Sequence, residues 1–281
     1  MLYKQYDADI LGRLHNVELE MLKDFDSFCR ENDIDYFVCG GTALGVARHK
    51  GFIPWDDDID IGMTRVNFDK LICSSDKLSP KYTVISRHNT GNFPLMTAWV
   101  SLNGSKFRIL KSPRIDNGIY LDVFCFDNVS DNEKKMRRQM RSGWLWGKLL
   151  ILRYMDDPIL YHSGVWEKII RICCKMVHFT LKMINRDPEK LYIRAYKSAT
   201  MLRGHKTKKV AYMFDPTPYT SMIDIADIEP TIDGDFEGYR VKIPANIDAY
   251  LSRRYGDDYM VLPPLEKRHN HPPYELEFPK T

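Results

Sequence analysis

The feature that most constrains this chain is a short acidic stretch leading directly into an alternating apolar pattern. Four aspartates fall within five residues, at Asp56, Asp57, Asp58 and Asp60. Successive side chains of a strand point to opposite faces, so Asp58 and Asp60 would share one face and the isoleucines flanking Asp60 the other. The apolar face can enter a core, which leaves the two carboxylates parallel, with their Cα atoms about 7 Å apart.

Two like charges so close repel each other, and a cation between them stabilises the pair at neutral pH. Oxygen ligands favour Mg²⁺ or Mn²⁺, and Mg²⁺ typically takes one or two carboxylates together with substrate phosphates. The simpler alternative is a solvated acidic turn. The alternation, the preceding Pro54-Trp55 pair and the glycines upstream favour metal-assisted phosphoryl chemistry instead.

A pair of glycines lies between a predicted strand over residues 34–39 and a predicted short helix over residues 43–48. Gly40 and Gly41, followed by Thr42, would leave backbone N–H groups free at the start of that helix, a position suited to phosphate. A glycine pair by itself more often makes a tight turn. Its coupling to the acidic strand favours the phosphate site.

The stretch from Gly40 to Ile61 resembles the LicD/fukutin family of phosphotransferases almost position for position, and its spacing resembles the nucleotidyltransferase superfold. The resemblance is sharpest over residues 11–63 and continues more weakly through 118–127 and 236–271. It implies that this chain moves a phospho-alcohol from a CDP-activated donor. Bacterial members of the family transfer phosphocholine from CDP-choline to teichoic acid or other cell-surface glycans, and animal relatives transfer ribitol phosphate from CDP-ribitol.

A third carboxylate is expected at Asp122. Residues 118–127 have the composition of a strand, and an Asp in the middle of a buried strand requires partners. The family pattern also has an Asp at this position, which implies that Asp122 is a third metal ligand or the base for the attacking hydroxyl. The alternative is an edge-strand Asp that faces water. Asp127 is expected to end the strand in a turn.

Basic and aromatic residues close to the acidic stretch are candidates for binding the donor. Arg48 and Lys50 could neutralise its phosphates, and Arg is suited to bidentate contact. Their alternative role is helix C-terminal charge favoured by the macrodipole. Trp55 could stack on cytosine or pack in the core beside Phe52.

The C-terminal tail carries a second patch that resembles the family. A hairpin over residues 236–244 and a short helix over 245–257 are predicted to precede a proline-led basic segment that contains Arg268, His269 and His271. The resemblance suggests that this segment folds back over the site, with Arg268 and His271 contacting substrate. A zinc site is disfavoured because neither Cys nor a third His is near in sequence.

The chain as a whole is predicted to be α+β, with a nucleotidyltransferase-like mixed sheet, flanking helices and an inserted helical lobe. We assign residues 1–130 to the catalytic core, 131–205 to a basic helical insertion, and 206–281 to a segment that returns to the core. An amphipathic first helix carries apolar residues from Leu11 to Cys29 at three- and four-residue spacing.

Composition bears on partners and location. A net charge of +3 gives no case for nucleic acid. The six cysteines have no Cys-x-x-Cys spacing and are interpreted as reduced core residues of a cytosolic protein. The N-terminus lacks a signal-peptide core, and no apolar run approaches transmembrane length. We therefore expect a cytoplasmic location.

The segment over residues 134–186 differs in charge from the rest, with twelve Lys or Arg against three Asp or Glu, a net +9. Helices are predicted near 144–154 and 165–184. In the second, basic residues recur at three- and four-residue spacing as one stripe: Lys168, Arg171, Lys175, His178 and Lys182. Such a helix can lie on an anionic membrane, at the inner face of the cell membrane, or be a docked lobe with a solvated basic face.

The resulting hypothesis is a Mg²⁺- or Mn²⁺-dependent phosphotransferase. Its donor is a CDP-alcohol, CDP-choline being favoured, and its acceptor is a glycan or teichoic acid precursor, free or lipid-linked. Two alternatives remain open: a true nucleotidyltransferase that transfers NMP and releases pyrophosphate, and a non-catalytic module that binds a membrane or glycan.

Overall fold

The computed structural model describes residues 6–109, 115–158, 164–268 and 272–280. The helices are α1 (Ala8–Glu31), α2 (Gly40–His49), α3 (Arg65–Cys73), α4 (Glu133–Tyr154), α5 (Gly164–Met183), α6 (Pro188–Ala199), α7 (Ile225–Ile228) and α8 (Ile247–Tyr255). The strands are β1 (Phe37–Val38), β2 (Asp60–Thr64), β3 (Tyr82–Ser86), β4 (Ala98–Leu102), β5 (Lys106–Arg108), β6 (Tyr120–Val129), β7 (Lys209–Ala211), β8 (Met222–Asp224), β9 (Ile232–Phe236), β10 (Tyr239–Ile243) and β11 (Glu275–Glu277).

The centre of the fold is a mixed sheet in the order β1-β2-β6-β4-β3, with β6 as its longest strand. Strands β2 and β6 run parallel, whereas β1, β3 and β4 pair antiparallel with their neighbours. The last residues of β6 pair with β7, which pairs with β8. The predicted α+β class is confirmed. The boundaries at residues 130 and 205 stay a prediction.

Helix α1 forms where its apolar periodicity predicts it. The Asp7 side chain caps its N-terminus by accepting a hydrogen bond from the Asp9 amide at 3.0 Å. Leu14, Leu22 and Phe25 are almost completely buried and belong to the same core as the inner residues of the sheet. The helix therefore covers the sheet along one continuous apolar face.

The entry to the acidic strand differs from the predicted arrangement. Ile59 and Ile61 are fully buried, as the alternation requires, but β2 begins only at Asp60. Asp58 therefore lies in the extended segment before the strand, and the prediction that both carboxylates stand on one strand was wrong. The predicted strand over 34–39 is also reduced to two residues, because helix α2 already starts at Gly40.

Asp127 does not end its strand in a turn, as was predicted. It lies within β6 and is buried, and its two oxygens accept hydrogen bonds from Nε and Nη2 of buried Arg65, both at 2.8 Å. This bidentate pair joins the start of α3 to the middle of the sheet. An ionised Asp can occupy a strand interior because the guanidinium compensates its loss of hydration.

The C-terminal segment forms a small two-stranded sheet with β5. Strand β11 pairs antiparallel with β5, and Lys106 bridges Glu275 and Glu277.

Cys73 and Cys173 are exposed, so the interpretation of the cysteines as core residues fails for these two. Within the described ranges, no helix combines the length and the apolar character that crossing a bilayer requires.

Candidate active site

Asp60 and Asp122 lie side by side at the beginnings of the two parallel strands. They are register partners of β2 and β6, and the Asp122 amide donates to the Ile59 carbonyl at 3.0 Å. Partners in register point to the same face of a sheet and lie about 4.8 Å apart. Trp99 of β4 is the register partner of Asp122 on its other side. The sheet thus carries a row of three: Asp60, Asp122 and Trp99.

The start of helix α2 holds Asp60 in place. The Thr42 hydroxyl accepts the Asp60 amide at 2.8 Å, and the Gly41 amide donates to Asp60 Oδ2 at 3.3 Å. A Cβ on Gly40 would lie 2.0 Å from the same carboxylate oxygen, and Gly40 has φ +52°. Glycine is required here both for its backbone conformation and for the close approach of Asp60. The positive helix end favours the carboxylate.

The amides predicted to hold phosphate already have partners. The Gly40 amide donates to the Tyr250 hydroxyl at 2.8 Å, and the Gly41 amide is shared with Asp60. Thr42 is buried, and its hydroxyl is committed to the Asp60 backbone. Their role in binding phosphate therefore stays a prediction, and it would require the Tyr250 contact to yield.

Further carboxylates surround this pair. Asp57 is buried and accepts a hydrogen bond from the Tyr6 hydroxyl at 2.9 Å. Glu18 of α1 is 1% exposed, and its Oε2 has no hydrogen-bond partner in the part of the chain that the structure describes. Burial, followed by the charges of Asp58, Asp57, Asp56 and Asp60, raises the pKa of Glu18 well above its usual range.

The same crowding changes the ionisation of the predicted ligands. Burial, then the charges of Asp122 and Asp56, raises the pKa of Asp60 to about 8. Burial raises the pKa of Asp122 to about 7. The Asp58 side chain is partly accessible to solvent. Desolvation by the surrounding protein, followed by the charges of three neighbouring aspartates, nevertheless raises its pKa well above the usual range. Such a cluster has a strong tendency to take up positive charge.

Asp122 has an incomplete set of partners. Its Oδ1, the Thr97 hydroxyl and the Trp99 indole nitrogen are all buried, and none makes a hydrogen bond of acceptable geometry within the described residues. Thr97 and Trp99 nevertheless lie near enough to oppose the rise in the pKa of Asp122. A buried acceptor without a partner is uncommon, and it is the feature here that best fits a cation or substrate group.

The carboxylates suit a hard cation by their chemistry, since all are oxygen donors. As the side chains stand, however, no three Asp, Glu, His or Cys residues in the described ranges form a ready coordination group. Mg²⁺ typically completes its shell with water and substrate phosphates, so one or two carboxylates suffice. The residues therefore fit a cation that binds together with a phosphorylated donor.

Three of the predicted donor-binding residues come together beside the acidic cluster. The Arg268 guanidinium lies 4.7 Å from the centre of the Trp55 ring, and its charge lowers the pKa of Arg48, although burial lowers it more. Arg48 Nη1 donates to the carbonyls of Tyr259 and Val261 at 3.1 and 3.3 Å. These contacts produce a cationic edge next to Asp56, the neighbour of Trp55 in sequence.

The remaining predictions have other outcomes. Lys50 is exposed and caps the C-terminal end of α2, about 15 Å along the helix from Gly40. His271 and His269 lie outside the described residues. Lys106 and Arg108 of β5, two further basic residues that precede Asp122 in sequence, form ion pairs with β11.

The sequence reasoning missed the residues that reach the site from distant segments. Tyr6 and Glu18 come from the N-terminal helix and its approach, and Tyr250 and Arg254 come from α8. Arg254 is held by Asp215 at 2.9 Å, and its charge opposes the rise in the pKa of Asp60. A polar Glu18 on the apolar face of α1 was the one local signal that could have been noticed.

Sequence similarity to a known protein extends over most of the chain. Residues 33–148 match the family model of the LicD/FKTN/FKRP nucleotidyltransferase domain. Over 271 residues the chain is 24% identical to the lipopolysaccharide cholinephosphotransferase LicD of Haemophilus influenzae, which covers 90% of this chain and 92% of that protein. Segments of 44 residues, 16% of this chain, are 46% identical to uncharacterized proteins of Rickettsia prowazekii and Rickettsia typhi, covering 16% and 14% of those proteins. These matches support the resemblance of this chain to the LicD family.

Proposed function

We propose that this protein is a phosphotransferase that moves a phospho-alcohol, phosphocholine being favoured, from a CDP-activated donor to a hydroxyl of a cell-surface glycan or teichoic acid precursor and releases CMP. The observation that carries the proposal is the pairing of Asp60 with Asp122 next to the Gly40 helix start. The relative from Haemophilus influenzae supports it, because it is named a lipopolysaccharide cholinephosphotransferase.

Asp58, Asp60 and Asp122 would hold Mg²⁺ or Mn²⁺. Such an ion supplies charge neutralisation at the donor pyrophosphate and at the departing CMP. Asp122 either completes the oxygen ligands or accepts the proton of the acceptor hydroxyl. A pKa of about 7 suits the second role, since a general base works best when its pKa lies near the working pH.

The cationic edge would bind the donor. Arg48 and Arg268 offer guanidinium groups for phosphate oxygens, and Arg48 Nε is buried without a hydrogen-bond partner among the described residues. Trp55 is half-buried and presents an aromatic surface for cytosine, one side of which Arg268 covers. Lys50 and His271 remain proposed donor contacts on the resemblance to the family alone.

The proposal is tested by incubating the protein with Mg²⁺ and a panel of CDP-alcohols together with a glycan acceptor, and measuring CMP. Asp58→Asn and Asp60→Asn should each abolish turnover while circular dichroism stays unchanged, because a carboxylate at the charged centre contributes several kcal/mol to the transition state. Asp76→Asn, at an exposed position, is the matched control. Near-native activity of either site variant would refute the assignment.

The same assay separates the other candidates. The matched family model describes a nucleotidyltransferase domain, which favours NMP transfer as the second candidate. That reaction releases pyrophosphate, whereas phospho-alcohol transfer releases CMP. A protein that binds donor or glycan but yields neither product would be a non-catalytic module. A lipid-linked acceptor would bring the enzyme to the inner face of the cell membrane.

A further inference from the structure

Helix α5 carries a continuous apolar face that the rest of the described structure leaves open. Six apolar side chains follow one another at spacings of four and three residues, and each is 44–72% exposed: Val165, Ile169, Ile172, Met176, Phe179 and Met183. At 100° per residue they fall on one side of the helix, and Trp166, 70% exposed, lies at its edge. Six such residues on one helix exceed the scattered exposure that is normal for a surface.

The opposite side of α5 fixes the helix to the protein. Leu181 is buried, and His178 Nδ1 lies 2.7 Å from the Leu152 carbonyl of α4. Arg171 is ion-paired with Asp157 and Glu167. The apolar face therefore points outward because the helix is already anchored by its other side.

This arrangement corrects the predicted basic stripe. Of its five members, Arg171 and His178 are turned toward the protein and have partners there. Lys168, Lys175 and Lys182 are exposed and recur every seven residues, which places them in a line along one border of the apolar face. The outward side of α5 is thus apolar with a lysine border, and not a solvated basic face.

The charged residues that border the apolar face are all lysines. Glu167 is the one acidic residue of α5, and Arg171 neutralises it. An anionic phospholipid surface matches both properties: the apolar side chains enter the acyl boundary, and the lysines extend their stems to the phosphates. Trp166 is suited to the interfacial zone.

A second copy of the chain fits less well. The spacing of four and three would allow two α5 helices to pack along their apolar faces. Such a pair would bring the lysine borders of both copies to the same interface, without an acidic side chain on this face to compensate them. Like charges beside an apolar seam oppose association.

We propose that α5 is a membrane-docking helix that lies in the plane of an anionic phospholipid surface, with its apolar face inserted and Lys168, Lys175 and Lys182 at the lipid phosphates. This surface is separate from the acidic site. It would hold the protein where acceptors attached to lipid are found, but binding requires neither donor nor acceptor.

Sedimentation with vesicles tests the proposal on the full-length protein. Vesicles of phosphatidylcholine mixed with phosphatidylglycerol should bind it, phosphatidylcholine alone should bind it weakly, and added salt should weaken the attraction. Lys168→Glu plus Lys175→Glu should lower the affinity at least about tenfold. Lys190→Glu plus Lys197→Glu, an exposed pair on α6 with the same spacing, is the control and should change it little.

Two further variants report insertion. Phe179→Glu should abolish binding, because the side chain is exposed and the substitution puts a charge in the apolar face without disturbing the core. Brominated lipids should quench fluorescence in the native protein and much less in Trp166→Phe. Binding that ignores anionic lipid, or that survives the Lys168/Lys175 pair unchanged, overturns the proposal. The proposal is also overturned if the protein binds no vesicles and instead forms a dimer that the Phe179→Glu substitution dissociates. These measurements involve no turnover, so their failure leaves the transferase proposal untouched.

Discussion

Replacing Gly40 by alanine should disable the candidate site through a single methyl group. The added Cβ would lie 2.0 Å from Asp60 Oδ2, whereas ordinary contacts of this kind are longer than 3.4 Å. The carboxylate must therefore move by more than 1 Å, which disturbs its contact with the Gly41 amide. A displacement of that size in a reacting group costs on the order of 10²-fold in rate.

The substitution also strains the backbone, because Gly40 has φ +52°. A non-glycine residue in that region costs roughly 1–2 kcal/mol. Gly104 offers a matched control, since it has φ +78° and an added Cβ would meet nothing within 4 Å. Gly104→Ala should lose a similar amount of stability and keep its activity. Gly41→Ala is the opposite case to Gly104→Ala. Its backbone would be unstrained, but its added Cβ would lie 2.4 Å from Asp56 Oδ2.

Three quantities are measured for each variant. CMP release is assayed in the presence of Mg²⁺, the affinity for Mn²⁺ is determined by electron paramagnetic resonance, and stability is followed by thermal unfolding. We expect Gly40→Ala to lose activity and Mn²⁺ affinity, Gly41→Ala to lose part of both, and Gly104→Ala to lose neither. If Gly40→Ala matched Gly104→Ala in activity and in Mn²⁺ affinity, the close approach of Asp60 to the helix start would have no functional role.

Three further predictions concern the surroundings of the site. Asp127→Ala leaves buried Arg65 with only its longer contact to Asp69 at 3.5 Å and should lower the free energy of unfolding in urea by about 3–5 kcal/mol. Replacing both Asp127 and Arg65 by Leu and Met should recover most of the loss, and equal losses would contradict this. Burial raises the pKa of Asp60 to about 8 and of Asp122 to about 7, so the folded state binds more protons than the unfolded one. The cation-free protein should therefore lose thermal stability as the pH rises through about 7 to 8, and Mg²⁺ should restore it; a melting temperature that climbs over this range would refute the pKa values. Trp99→Phe removes an indole N–H that favours ionised Asp122, so the acidic limb of the pH–rate profile should move to higher pH, and an unchanged profile would exclude this contact.

The parts of the site that were predictable share a local origin. Three signals can be recognised within a few residues of sequence: the glycine pair, the alternation around Asp60, and the Asp within an apolar strand. They led to the side-by-side placement of Asp60 and Asp122 because a lone carboxylate in an apolar strand needs a partner. The resemblance to the LicD family supplied the chemistry that spacing alone left open.

The errors arose where a nearby pattern competed with a distant partner. Asp58 was assigned to the strand because alternation continues through Ile59, but β2 starts after it. Asp127 was assigned to a turn because Asp is unusual in a strand, and its partner Arg65 lies 62 positions away. The lysine border of α5 was taken as part of one stripe, since periodicity does not reveal which side of a helix is anchored.

The sequence by itself determined the elements and the charges: the amphipathic first helix, the strand periodicity at Asp60, the family resemblance and the basic middle segment. These depend on neighbours within one or two turns. Only the tertiary structure decided that Tyr6 contacts Asp57 and that Tyr250 occupies the Gly40 amide, across separations of 51 and 210 residues. The same holds for the outward direction of the apolar face of α5. Such contacts follow from how whole elements pack against one another, and no local pattern encodes that choice.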